Sequence, residues 1–152
     1  MIKVNVEVNH KPWLKKIKNP KKTFNKKLNK ICKIINFFNK KKITFTILLT
    51  NSLEIKKLNR KFRNKNKSTD ILSFPFFKSA QLKLIKEKNI YIGDIAVCYQ
   101  VLNQRSKRKN FHSEFDKVWI HGLLHLIGYD HIKNKDYLKM NRLEKKILNL
   151  IS

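Results

Sequence analysis

Ile2, Val4, Val6 and Val8 alternate with polar residues at the start of the chain, a period of two that predicts a half-buried strand rather than a signal peptide. A Lys-rich connection around Pro12 and Pro20 follows. Phe24, Leu28, Ile31, Ile34, Ile35 and Phe38 then recur at steps of three and four, the stripe of an amphipathic helix. ITFTILLT, Ile43 to Thr50, is rich in β-branched side chains and predicts a second strand. Asn51 or Ser52 can cap the next helix, which runs through Leu53, Ile55, Leu58 and Phe62. Glu54 falls in its first turn, where a carboxylate suits the positive end of the helix dipole.

The chain turns polar from Asn64 to Thr69, and ILSFPF, Ile71 to Phe76, predicts a third strand. Pro75 offers no N–H to a ladder, so it marks a strand end or a sheet edge. Lys78 to Asn89 reads as either a loop or a short helical turn. YIGDIAVCY, Tyr91 to Tyr99, is nearly unbroken in apolar character and predicts a central strand covered on both faces. Helices are expected over Val101 to Lys109, Glu114 to Ile127 and Lys135 to Ile151, the last with Tyr137, Leu138, Leu143, Ile147 and Leu150 near one face. The sum is an α+β (α/β-like) fold, one mixed sheet of about four strands packed with about five helices. With no internal repeat and no linker, residues 1–152 are expected to form one domain with a core of its own. No apolar run approaches the roughly 18 residues of a membrane span, and a soluble, intracellular (cytoplasmic) protein is expected. Cys32 and Cys98 are far apart, each in an apolar stretch, and read as buried free thiols; two cysteines cannot make a cysteine-only zinc site.

Charge adds a partner. The chain carries 36 Lys+Arg against 10 Asp+Glu, a formal net charge of +26. With 41% hydrophobic residues this is a folded protein, not a basic tail, and its field attracts polyanions. Nucleic acid is favoured over a membrane because no apolar amphipathic anchor is evident. An AT-rich coding sequence would give the same excess of Lys, Asn and Ile, so Lys runs such as Lys40 to Lys42 read first as solvated surface. Arg60, Arg63, Arg105, Arg108 and Arg142 are the only arginines and carry more information, since a guanidinium grips phosphate oxygens in pairs.

HGLLHLIGYDH, His121 to His131, holds three of the five histidines. His121 and His125 stand four apart on an expected helix and so share one face. Gly128 can take the left-handed conformation that ends a helix, letting the chain turn back and bring His131 to the same point. Three imidazoles with a fourth position open suit a catalytic zinc rather than a closed structural site. The spacing is also that of HExxHxxGxxH metalloproteases, but Gly122 stands where those enzymes keep a glutamate base, and it cannot transfer a proton. Glu114, two turns earlier, is too distant to replace that base. Asp130 reads equally as an acceptor for an imidazole N–H or as a turn stabiliser. His10 and His112 read as surface or capping groups.

The same stretch closely resembles HGxLHLxGYDH, the signature of the YbeY family of bacterial rRNA maturation factors. LNRKFRNKNKSTDILSFPF, Leu58 to Phe76, is similar to the family's LNxxYRxxxxxTDVLSFPF, with Phe62 in place of Tyr, and IGDIAVC, Ile92 to Cys98, to its LGDIxIC. The resemblance implies a single-strand-specific endoribonuclease acting in rRNA maturation, at the small-subunit RNA 3′ end, and in ribosome quality control. It implies one zinc ion on His121, His125 and His131, with His121 and Arg63 as catalytic residues, Arg63 matching the family's functional arginine. RNA and the small ribosomal subunit become the expected partners, with no DNA and no membrane. A fixed guanidinium beside a metal would stabilise charge building on phosphoryl oxygens. Phe74, Phe76, Phe77 and Tyr129 are candidates for stacking unpaired bases as well as for the core. The rival readings are a metalloprotease and a non-catalytic ribosome-assembly factor with a structural metal. The attacking group is open between water and the RNA's own 2′-hydroxyl.

Overall fold

The computed structural model describes residues 1–38 and 40–152. Four strands, β1 (Ile2–Val8), β2 (Lys42–Thr50), β3 (Ile71–Pro75) and β4 (Asn89–Cys98), form one mixed sheet in the order β1-β2-β4-β3. The β1–β2 and β2–β4 pairs are parallel, and β3 lies antiparallel to β4 at the edge. The α+β expectation therefore holds. Among the described residues there are seven α-helices rather than about five: α1 (Pro12–Lys16), α2 (Pro20–Ile31), α3 (Ser52–Arg63), α4 (Ser79–Leu82), α5 (Tyr99–Arg105), α6 (Phe111–Leu126) and α7 (Asn134–Ile151).

The two additions are short. α1 lies in the Lys-rich connection, where Pro12 suits a first turn and Trp13 provides the buried anchor, donating from Nε1 to the Thr50 carbonyl at 2.9 Å. α4 is the helical turn that the sequence left open. α2 stops at Ile31, earlier than the apolar stripe suggested; Ile34 and Ile35 pack onto the core from the turn beyond it, while the side chain of Phe38, and Asn39, lie outside the described residues. On α7 the buried residues are Met140, Ile147 and Ile151, with Tyr137 and Leu138 exposed, so its inward face is rotated from the expected one.

One face of the sheet carries the main core. Phe45, Ile47, Ile92, Ile95 and Val97 meet Phe24 and Leu28 of α2 and Phe115, Trp119 and Leu123 of α6. The opposite face is covered only at one end, where Ile55 of α3 closes over Leu72, Ala96 and Cys98. Tyr91 and Asp94 stay exposed, so β4 is central but covered on both faces over only part of its length. Between them β4 carries one extra residue: Thr44 pairs with Tyr91, yet Thr46 pairs with Asp94. Gly93 sits in that bulge at φ +135°, and a Cβ there would lie 2.2 Å from the Phe74 carbonyl oxygen, which only glycine avoids. The cysteines are free, Cys98 buried and Cys32 half-buried. No helix among the described residues is long and apolar enough to cross a membrane.

Candidate metal centre

α6 is the helix that the core is built around, and it carries two of the three candidate ligands on its rim. Asn110 caps it, accepting from the Ser113 N–H at 3.1 Å. Val118, Trp119, Leu123 and Leu126 bury its inner side, which leaves His121 and His125 half-buried on the flank. The helix ends in a Schellman turn: Gly128, at φ +91°, donates to the His125 carbonyl, and Tyr129 N–H reaches back to the Leu124 carbonyl, both at 3.0 Å. That turn returns the chain, and His131 comes back to its two partners.

The three histidines each offer one nitrogen, all within 4.8 Å of one another. Nε2 of His121 and Nε2 of His125 are 3.0 Å apart. Two nitrogens bound tetrahedrally at about 2.0–2.1 Å from one ion would lie about 3.3 Å apart, so the donor set fits a small cation. The outer nitrogens are also held. Nδ1 of His125 is 3.0 Å from the Tyr129 carbonyl oxygen, which can only accept, so Nδ1 carries the proton and Nε2 presents its lone pair. Nδ1 of His121 lies 3.4 Å from Oε2 of Glu144 on α7. Burial, and then the charges of His121 and His131, push the His125 imidazole below the usual histidine range, which keeps it neutral as a ligand must be.

Glu144 was not foreseen from the sequence. A signal exists: residues 140, 144, 147 and 151 form one helical stripe, in which Met140, Ile147 and Ile151 are buried and a carboxylate interrupts them. Asp130 resolves as the turn stabiliser, its Oδ1 accepting from the His131 N–H at 2.6 Å. Glu114 is buried at the far end of α6 and pairs with Lys117 at 3.1 Å, away from the histidines. His10 lies beside Tyr99 and Gln100, and His112 is exposed. Gly122 has a structural reason as well as a chemical one: a Cβ there would lie 2.6 Å from Ile71 Cδ1 and 3.0 Å from Ser73 Oγ. α6 is pressed against β3 at this point, and a side chain there would have to displace Ile71 and Ser73.

The histidines open into a cleft of about 1010 Å³ that is also lined by Arg63, Ser73 and Phe76. Lys65, Lys67 and Lys78 add to its rim, against Asp130 alone among acids. Arg63, the last residue of α3, donates from Nη2 to the Ser73 carbonyl at 2.9 Å, a bond that fixes the guanidinium at the edge of β3. The chain after it is held by Asn59, 2% exposed, which donates to the Lys67 carbonyl at 2.9 Å. Of the aromatics, Phe76, Phe77 and Tyr129 line the cleft, whereas Phe74 packs on Phe62 with ring centroids 5.3 Å apart.

Comparison with known proteins places the chain in a family. The family model described as endoribonuclease YbeY matches residues 7–152. The endoribonuclease YbeY of Pelagibacter ubique is 47% identical over 156 residues, covering 99% of this chain and 97% of its own. That of Buchnera aphidicola from Acyrthosiphon pisum is 42% identical, covering 95% and 90%. A Thermotoga maritima protein solved in solution is similar with a TM-score of 0.64 at 28% identity, over 99% of this chain and 89% of the other. Similarity over nearly the whole length makes this chain a member of the endoribonuclease YbeY family.

Proposed function

We propose that this protein is a zinc-dependent endoribonuclease that cuts single-stranded RNA in the cytoplasm, acting in maturation of the small-subunit rRNA 3′ end and in ribosome quality control. His121, His125 and His131 hold the ion, and Arg63 stabilises the phosphate being cut. The observation that carries the reading is that Arg63 and the three histidines line one basic cleft. Imidazole donors and an open fourth position favour zinc, and zinc bound there would polarise a phosphoryl oxygen or lower the pKa of a water towards about 7. The lysines of the rim supply salt-dependent attraction for the RNA backbone, and Phe76 and Tyr129 offer faces to unpaired bases. A protease reading lacks the carboxylate base beside His121, where Gly122 packs against β3.

The test is cleavage of a single-stranded RNA by metal-loaded protein. Wild type should cut it, and His121→Ala should lose both the metal and the activity. Undiminished cutting by His121→Ala would end the catalytic reading. A 2′,3′-cyclic phosphate on the product would identify the RNA's own hydroxyl as nucleophile, and a linear phosphate would identify water.

A further inference from the structure

β3 is one of the two edge strands of the sheet, and its outward backbone groups have distinct fates. Cys98 N–H donates to the Asp70 carbonyl at 2.9 Å and Phe76 N–H to the Ile92 carbonyl at 2.9 Å, so the even-numbered residues of β3 bond to β4. Residues 71, 73 and 75 therefore point their backbone groups away from the sheet. The Ile71 N–H is taken by the Asp70 carboxylate at 2.8 Å, and Pro75 has none. The Ser73 carbonyl is taken by Arg63. The Ser73 N–H finds no acceptor among the described residues.

The Ser73 side chain is as unusual. It faces α6 between Ile71 and Ile95, in van der Waals reach of the site where Gly122 lacks a Cβ. Ser73 is only 9% exposed, and its hydroxyl makes no hydrogen bond among the described residues. The hydroxyl is not sealed in the core, since Thr50 Oγ1 is the only buried and unpartnered side-chain oxygen or nitrogen among the described residues; it keeps access to the cleft as a free donor. The residue lines the cleft, with Arg63 on one side and, next to Gly122, His121 on the other. Both spare donors belong to one residue, beside a guanidinium that spends one hydrogen bond on that residue and keeps its remaining N–H groups available.

We infer that Ser73 positions the scissile phosphate of a single-stranded RNA: its hydroxyl and backbone N–H donate to non-bridging phosphate oxygens alongside Arg63. The inference rests on the endoribonuclease reading and adds a residue to it. Asp70, the nearest acid on this edge, is engaged by Arg105 at 2.9 Å and does not oppose an anion there.

The experiment uses the full chain loaded with zinc and an RNA oligonucleotide with one cleavable linkage, made with oxygen or with an Rp or Sp phosphorothioate at that linkage. Ser73→Ala should bind zinc as wild type does and unfold no earlier. It should cut the all-oxygen RNA about 10- to 100-fold more slowly, the loss of one hydrogen bond to a charged group. It should also lose the wild-type preference between the two diastereomers, because sulfur is a poor acceptor for the hydroxyl that the variant no longer has. A wild-type rate, or a slower rate with the diastereomer preference intact, would overturn the inference. If wild type cuts none of the three RNAs, the endoribonuclease reading itself fails.

Discussion

Glu144 of α7 reaches His121 of α6, its Oε2 3.4 Å from Nδ1, across 23 residues of chain. A carboxylate behind an imidazole fixes the tautomer and raises the ligand's basicity. Glu144→Ala should weaken zinc binding by about 10- to 100-fold, and Glu144→Gln by less, since an amide oxygen can still accept. Competition with a chromophoric chelator would measure this, and equal affinity in all three proteins would remove Glu144 from the site.

Gly122→Glu recreates the metalloprotease pattern HExxH in this fold, and the structure forbids its benefit. The side chain would start 2.6 Å from Ile71 Cδ1 and have to leave a charge at a buried position. The expected cost is about 3 kcal/mol or more, read by chemical denaturation, with no peptide cleavage. Gly122→Ala should be far milder, because the atoms met are side-chain ends and alanine returns about 1 kcal/mol of helix propensity. Peptidase activity in the glutamate variant would refute the packing account.

Arg63→Ala should lower the RNA cleavage rate about 100-fold with zinc content unchanged, as for loss of a donor aimed at developing charge. Arg63→Lys should recover only part of this, because the ammonium cannot hold the Ser73 carbonyl and present a second planar donor pair together. Single-turnover rates at saturating enzyme separate this from weakened binding. A lysine variant as fast as wild type would reduce Arg63 to simple charge.

The lowered pKa of His125 has a sign that can be measured. The native state favours the neutral ring, while the unfolded chain protonates it near the ordinary value of about 6.5. Above that pH neither state is penalised. As pH falls through 6.5 towards the lower native value the unfolded state binds the proton first, so metal-free protein loses stability. Zinc affinity should fall over the same range, because the ligands must be neutral. Urea titrations from pH 7.5 to about 5 on wild type and His125→Asn test it: the part of the slope due to His125 should vanish in the variant.

Away from the cleft, both Asp116 oxygens lie 2.6 Å from Lys27 Nζ, and Oδ1 also accepts from Trp119 Nε1 at 2.8 Å. The side chains of the pair are 18% and 10% exposed, so removing one leaves the other nearly dry. Asp116→Ala should cost about 3 kcal/mol and lower Tm by roughly 6–12 °C. Lys27→Met with Asp116→Leu should regain part of that, with the Trp119 indole still short of an acceptor.

Local patterns carried most of this fold into view. Alternation gave β1, the cap at Asn51 gave α3, and the continuous apolar run of β4 gave its central place. The histidines were legible because their spacing is local, two on one helical face and the third returned by a glycine. What escaped depends on distant parts of the chain. α1 is five residues held by Trp13 against Thr50, a contact 37 residues away. Glu144 needs the packing of α7 on α6, because composition alone points Tyr137 and Leu138 inward where the packing leaves them exposed. Ser73 looks like any strand serine until β3 is known to be an edge and α6 is known to lie on it. Gly122 reads in the sequence as a missing base, and only the packing shows that a larger side chain there must displace Ile71 and Ser73.

The bulge at Gly93 sets how freely this chain can change length. Before it the even residues Ile90 and Ile92 face the core, and after it the odd residues Ile95 and Val97 do. Ile95 meets α6 beside Gly122, one residue from His121. A one-residue deletion at the bulge would restore the ordinary alternation with Asp94 still opposite Thr46 and facing out, and Ile95 still facing the core. β4 can therefore lose one residue at the bulge and keep its facing, whereas a change of one residue well away from it would exchange the inward and outward side chains.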